Sequence, residues 1–191
     1  MRPRRQNLPR ISQGDIYRDV DFIEYVAEKG GYVEVSRITF PLVVILTQDC
    51  DLEQDFRFRY GRPRSRFATQ DKLLLSVLVA PLYNAEHVHR GEHLSELGIQ
   101  MQTIRWDKSP GDFLRSNQNP RYHYVEFPDD IPIVAAIIDF KHYFSVNIEY
   151  LKREKKRDFI CRLPPLYREN LSQRYASFLA RIGLPQEQPT G

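Results

Sequence analysis

Asp49-Cys50-Asp51 places a thiol between two carboxylates, and only Thr47-Gln48 separates it from the apolar run from Pro41 to Leu46. A β-branched and leucine run of that length reads as a strand buried on both faces, and its polar exit is where such a strand delivers side chains to solvent. Two flanking carboxylates repel a thiolate, so a nucleophilic Cys50 needs a cation or a histidine supplied by the fold. Asp49 and Asp51 are better suited to chemistry, since a cleft carboxylate serves as a general base or as a ligand for Mg²⁺. The structural alternative makes Asp51 a helix cap with Gln54 at the capping-box position, Asp49 an acceptor for backbone donors and Cys50 a small buried group.

The segment Phe56 to Phe67 interleaves five arginines with four aromatic residues. Guanidinium groups neutralise phosphates and stack on bases, and aromatic rings stack without regard to sequence, a composition that suits single-stranded nucleic acid. Arg57, Arg59, Tyr60, Arg62, Arg64 and Arg66 are the binding candidates. In the competing account the rings fold back on the domain and the arginines pair with Glu53 and Asp55, or the segment serves a protein interface. Lys152 to Arg157 reads as a solvated helix end or turn.

Between Glu86 and His93, a continuous helix would put His89 and His93 on one face, as a metal pair requires. Gly91 weakens that helix and the sequence names no third ligand, so no metal is assigned. His87 is kept as a catalytic candidate, a general base if folding brings it, or His89, beside Cys50. The segments Tyr122-His123-Tyr124 and Lys141-His142-Tyr143-Phe144 read as core or edge packing, and neither marks a cofactor. No cofactor is expected, Mg²⁺ being the one ion that the carboxylates invite.

The elements that must position these residues follow from hydrophobic period and turn signals. The chain has 191 residues, 41% of them hydrophobic, enough for one good core, and its formal charge of +3 is too small to identify a partner. Residues 1–12 read as a basic flexible arm, 13–185 as one domain, and 186–191 as a tail. Asp15 to Glu28 and Tyr32 to Phe40 form a hairpin across Lys29-Gly30-Gly31, followed by a buried strand from Leu42 to Thr47. A second buried strand, Leu73 to Ala80, closes at Pro81. Residues 51–71 between the two are a polar insertion, too long for an ordinary hairpin loop. A helical stretch broken by Gly91 covers Ala85 to Leu97, a short helix falls near Phe113 and Leu114, and strands cover Tyr122 to Phe127 and Ile133 to Phe140. Residues 165–182 form an amphipathic helix, with Pro165 at its start and Gly183 and Pro185 as stop signals. Arg168, Glu169, Gln173 and Arg174 fall on its polar side. Two cysteines without a CxxC spacing fit a reducing cytoplasm, and no apolar stretch is long enough to span a membrane.

The Gly14-Asp15-Ile16-Tyr17 opening, the glycine-turned hairpin, the Pro41-led strand and the second strand ending in Pro81-Leu82 together resemble the PemK/MazF-like SH3-type β-barrels. The resemblance covers residues 13–84. It implies a mainly β fold with α elements: an SH3-like barrel with helical insertions and a C-terminal amphipathic helix. It also implies a bacterial, toxin-like or defence-associated endoribonuclease that acts on single-stranded RNA. The family's catalytic Arg and hydroxyl positions are occupied here by Phe40 and Tyr83. Two further classes stand beside this one: a non-catalytic nucleic-acid-binding barrel, and a protein-interaction or regulatory subunit of a multi-gene bacterial stress or defence system, with a protein partner or a second copy as its target.

Overall fold

Gly30 and Gly31 both take positive φ, 61° and 80°, and turn β1 (Asp15–Lys29) back into β2 (Tyr32–Ile45). This is the two-residue glycine turn whose twist suits an antiparallel hairpin. The computed structural model describes residues 10–61, 69–104, 113–153 and 156–181. Within them the hairpin arm and the buried strand expected after it are one continuous β2. Pro41 lies between the pairs Arg18↔Leu42 and Val20↔Phe40, opposite Asp19, whose φ of 53° absorbs the irregularity.

The second buried strand is shifted from its expected bounds. β3 (Ser76–Asn84) starts three residues later and runs through Pro81, because the strand changes partner there: Val79 to Pro81 pair with β2, and Leu82 to Asn84 pair with β5 (Ala136–Asp139). The missing proline donor is tolerated where a ladder is handed over. β4 (Tyr122–Val125) adds to β5, β6 (Phe144–Asn147) pairs with the start of β3, and β7 (Phe159–Arg162) pairs with β1. The sheet order is β4-β5-β3-β2-β1-β7, with every pairing antiparallel. Among the described residues β7 pairs with neither β4 nor β6, so the expected closed barrel is instead an open seven-stranded sheet with helices, an α+β fold.

Both faces of that sheet are covered, as the apolar runs require. Ile16, Val44, Leu46, Ala80 and Leu82 point to one side, against Leu171, Tyr175 and Phe178 of α4 (Pro165–Leu179). Tyr17, Val43, Ile45, Val77 and Val79 point to the other, against Leu52 of α1 (Asp49–Tyr60) and Leu151 of α3 (Ile148–Arg153). The period of two along β2 and β3 sorts the side chains between the faces. α2 (Ala85–Arg90) follows β3 directly and ends at Gly91, whose φ is 73°.

Several local expectations are corrected. The first part of the 51–71 insertion is helix, since Asp49 and Asp51 stand in the first turn of α1, Arg57 and Arg59 in its last, and i,i+4 ion pairs join Glu53 to Arg57 and Asp55 to Arg59. Phe113 and Leu114 lie in turns rather than a helix. Ile11 and Ser12, read as the end of the arm, are buried. Arg174, placed by its spacing on the solvent side of α4, instead turns inward and donates to the carbonyls of Asn117, Asn119 and Tyr122.

Candidate functional site

Gln48, not Asp51, is the N-cap residue of α1, and no side chain caps that end. Asp49 turns back toward the sheet. It accepts a fork from Arg10 at 3.0 and 3.2 Å, the Gln13 N–H at 3.2 Å and the Arg168 guanidinium at 3.4 Å. Burial pushes this carboxyl up, but Arg10, Arg168 and the Gln13 N–H outweigh it and hold the pKa below the usual range. Beside it, Asp15 receives Arg162 at 2.5 and 2.9 Å and the Ser12 N–H at 2.8 Å. Gly14 makes the assembly possible: a Cβ there would stand 2.6 Å from Arg168 Cγ. This corner ties the chain's start to α1, β7 and α4. Cys50 is exposed rather than buried, and its Sγ lies 3.7 Å from both Gln48 Oε1 and Asp51 Oδ1. Only acceptors face the thiol in these contacts.

At the other end of α1 the arginines pair with the acidic residues that sequence reasoning named as alternatives. Arg59 donates to Asp55 at 2.8 Å and to Leu74 O at 2.7 Å, and lies 3.2 Å from Glu149. Asp55 is fully buried and also receives Lys152 at 3.1 Å. Arg57 pairs with Glu53 and stays exposed, as does Tyr60, over whose ring Lys152 sits at 5.3 Å. Arg62, Arg64 and Arg66 lie outside the described residues.

His87 is placed elsewhere. Thr47, next to the acidic corner, bonds the Leu78 N–H, whereas His87 follows the far end of β3. The five steps from Leu78 to Tyr83 span about 16 Å at strand rise, so the fold does not bring His87 to Cys50. It lines a cavity of about 420 Å³ whose walls are mainly Ile38, Phe40, Leu82, Leu94, Ile133 and Val134, with Thr39, Tyr83, Asn84 and His93 as polar points. Gly91 ends α2 before His93, so the expected His89 and His93 face does not form. His89 is buried with Nδ1 3.3 Å from Ile104 O.

His93 joins a different group. One donor atom each from His93, Asp139 and His142 lie within 4.8 Å of one another. Asp139 ends β5 fully buried; its Oδ1 accepts Arg121 Nε at 2.8 Å and the Lys141 N–H at 3.0 Å, and its Oδ2 accepts Arg121 Nη2 at 2.5 Å. His142 Nδ1 stands 3.1 Å from Tyr83 Oη and 3.4 Å from Asp139 Oδ2. The Tyr83 and His93 rings pack at 4.8 Å. Burial lowers the proton affinity of both His93 and His142, more than Asp139 restores, so both imidazoles are neutral at pH 7. Burial also pushes the Tyr83 phenol up, with the Asp139 charge adding to the effect, so the phenol remains a proton donor. Both His93 nitrogens are buried, and a backbone contact with His87 serves at most one of them, which leaves a deficit of about 1–3 kcal/mol for the other.

Buried lone pairs, a phenol donor and an oriented carboxylate beside an apolar cavity are groups able to move a proton or hold a cation. Sequence reasoning read His142 as core or edge packing, met Tyr83 only at the family's hydroxyl position, and passed over Asp139 and Arg121. The available signal was Asp139-x-x-His142 at the exit of an apolar strand. No protein-family model matches this chain, and no curated protein matches it.

Proposed function

We propose that this protein is a hydrolase whose reacting centre is the cluster of Tyr83, His93, Asp139 and His142, and that its substrate is single-stranded RNA. The observation that carries the reading is geometric: Tyr83 and His93 line a cavity large enough for one nucleoside-sized group, and behind them His142 Nδ1 stands 3.1 Å from Tyr83 Oη with Asp139 beside it. Apolar walls with a few polar points suit an unstacked base, and the imidazoles offer lone pairs next to it. In hydrolysis a water oxygen bonds to phosphorus as a neutral imidazole of the cluster takes its proton, the bond to the leaving oxygen breaks as Tyr83 Oη gives that oxygen a proton, and the imidazolium then reprotonates the phenolate. Arg121 acts as a positioning residue, since its fork fixes Asp139 and through it His142. The PemK/MazF-type reading of the fold belongs to this proposal and is supported by the antiparallel meander β1-β2-β3, entered at Gly14.

The test is incubation of purified protein with end-labelled single-stranded RNA and DNA. Cleavage of RNA that His142→Gln and Tyr83→Phe reduce at least a hundredfold, and that Asp51→Ala and Cys50→Ser leave intact, is the expected result. Intact RNA after prolonged incubation, or full activity in His142→Gln, refutes it.

A second reading, a subunit that docks on another protein, has its own observation. The outer part of the β1–β2 hairpin exposes Ile23, Tyr25, Val26, Tyr32, Val33 and Val35, an apolar density typical of interaction surfaces. Sedimentation of the wild type against Val26→Glu combined with Val33→Glu tests for self-association; identical monomeric profiles remove a second copy as the partner.

A further inference from the structure

We propose that His93, Asp139 and His142 bind one divalent transition-metal ion of the Zn²⁺ class. The inference rests on the reading of this cluster as the reacting centre and adds the electrophile to it. The three donor atoms lie within 4.8 Å of one another. In a tetrahedral site with bonds of about 2.0–2.2 Å, neighbouring donors stand about 3.4 Å apart. Capture of an ion therefore asks the widest pair to close by about 1.4 Å, a movement within the reach of side-chain torsions.

The donor types select the ion. Two imidazoles favour Zn²⁺, Co²⁺ and their neighbours, whereas Mg²⁺ and Ca²⁺ take oxygen ligands. This is not the Mg²⁺ site that the sequence invites at Asp49 and Asp51; there Asp49 is already committed to Arg10 and Arg168. Three protein ligands leave a fourth position open, the pattern of a catalytic rather than a structural zinc centre. His93 also lines the cavity, so a substrate group there would have access to that position.

An independent observation points to a ligand at the same place. Both nitrogens of His93 are buried, and the backbone contact with His87 serves at most one of them, so one buried lone pair or N–H is left over. Coordination would satisfy that nitrogen. The surrounding shell is in place as well. Oδ1 of Asp139 is used by Arg121 and the Lys141 N–H, while Oδ2 takes one Arg121 bond and keeps capacity on the side facing His142. The Arg121 fork fixes the carboxylate plane, the kind of support that metal ligands receive from their neighbours. The Arg121 charge opposes a second cation, so binding is expected to be weaker than at a structural zinc site.

The untagged full chain, stripped with a chelator and desalted, is titrated with Co²⁺, whose visible absorption reports nitrogen and oxygen ligation, and then with Zn²⁺ in competition. We expect a band that saturates at one equivalent, is displaced by Zn²⁺, and requires at least tenfold more Co²⁺ in His93→Gln and in His142→Gln. Cys50→Ser titrates as the wild type does, and circular dichroism of each variant establishes that it is folded. No saturable binding, or wild-type binding by folded His93→Gln, overturns the site. RNA cleavage by stripped protein that binds no ion refutes this inference and leaves the proposed hydrolase standing. Ion binding without cleavage of any RNA supports the site and refutes that hydrolase.

Discussion

His123 gives the sharpest link between burial and a measurable quantity. Its ring lies in β4 at 3% exposure, 6.1 Å from the Phe140 ring, and its Nδ1 has no hydrogen-bond partner among the described residues. Burial, with the nearby Arg174 charge adding to it, moves the pKa from 6.5 down to about 4. The folded state therefore favours neutral imidazole, and between those two values unfolding takes up a proton. The contribution is fully present above pH 6.5, falls as the pH drops, and levels off near pH 4. A gap of about 2.5 units at 1.36 kcal/mol per unit is worth about 3 kcal/mol. That is a large share of the roughly 5–15 kcal/mol typical of a domain. Urea unfolding followed by circular dichroism, at steps from pH 7.5 to 4, measures it in the wild type and in His123→Phe. Whatever the variant does to absolute stability, it no longer titrates at this position. The wild type should lose about 3 kcal/mol more than the variant across the range. Parallel pH profiles would show that the ring is solvated or hydrogen-bonded when folded, and the reasoning from burial would fail.

Asp55→Ala leaves Arg59 and Lys152 without their shared carboxylate and the Leu74 N–H without its acceptor; a loss of about 3–5 kcal/mol in chemical denaturation is expected. Gly91→Ala forces a left-handed residue and places a Cβ 2.3 Å from Met101 O, so it should lower the melting temperature and, by displacing His93, weaken Co²⁺ binding. The Asp49 carboxyl, held below its ordinary pKa chiefly by Arg10 against the opposing effect of burial, stabilises the fold above pH 3.8 and loses that contribution as the pH falls further. Asp49→Asn should flatten the acid limb of a stability profile, by less than about 2 kcal/mol because the site is partly solvated. Cys50→Ser should stay within about 0.5 kcal/mol of the wild type, as befits an exposed thiol.

What the sequence determined was local. The apolar runs from Leu42 to Leu46 and from Leu73 to Ala80 required a sheet buried on both faces, and Leu171, Tyr175 and Phe178 recur at the spacing of one helical face, which α4 presents to that sheet. Gly30-Gly31 fixed the hairpin, because only glycine takes two successive positive φ values without strain. α1 was hidden because its apolar period is weak and it is held by ion pairs whose partners had been read as a mere alternative. The histidine cluster could not be read from the chain at all. His93 follows a helix stop, Asp139 and His142 lie about fifty residues further on, and Arg121 sits between them. Only the antiparallel pairing of β5 with both β3 and β4 brings these segments together. Hydrophobic period specifies which face of a strand is buried. Which distant polar groups then meet is decided by register and strand order, which arise from the whole sheet.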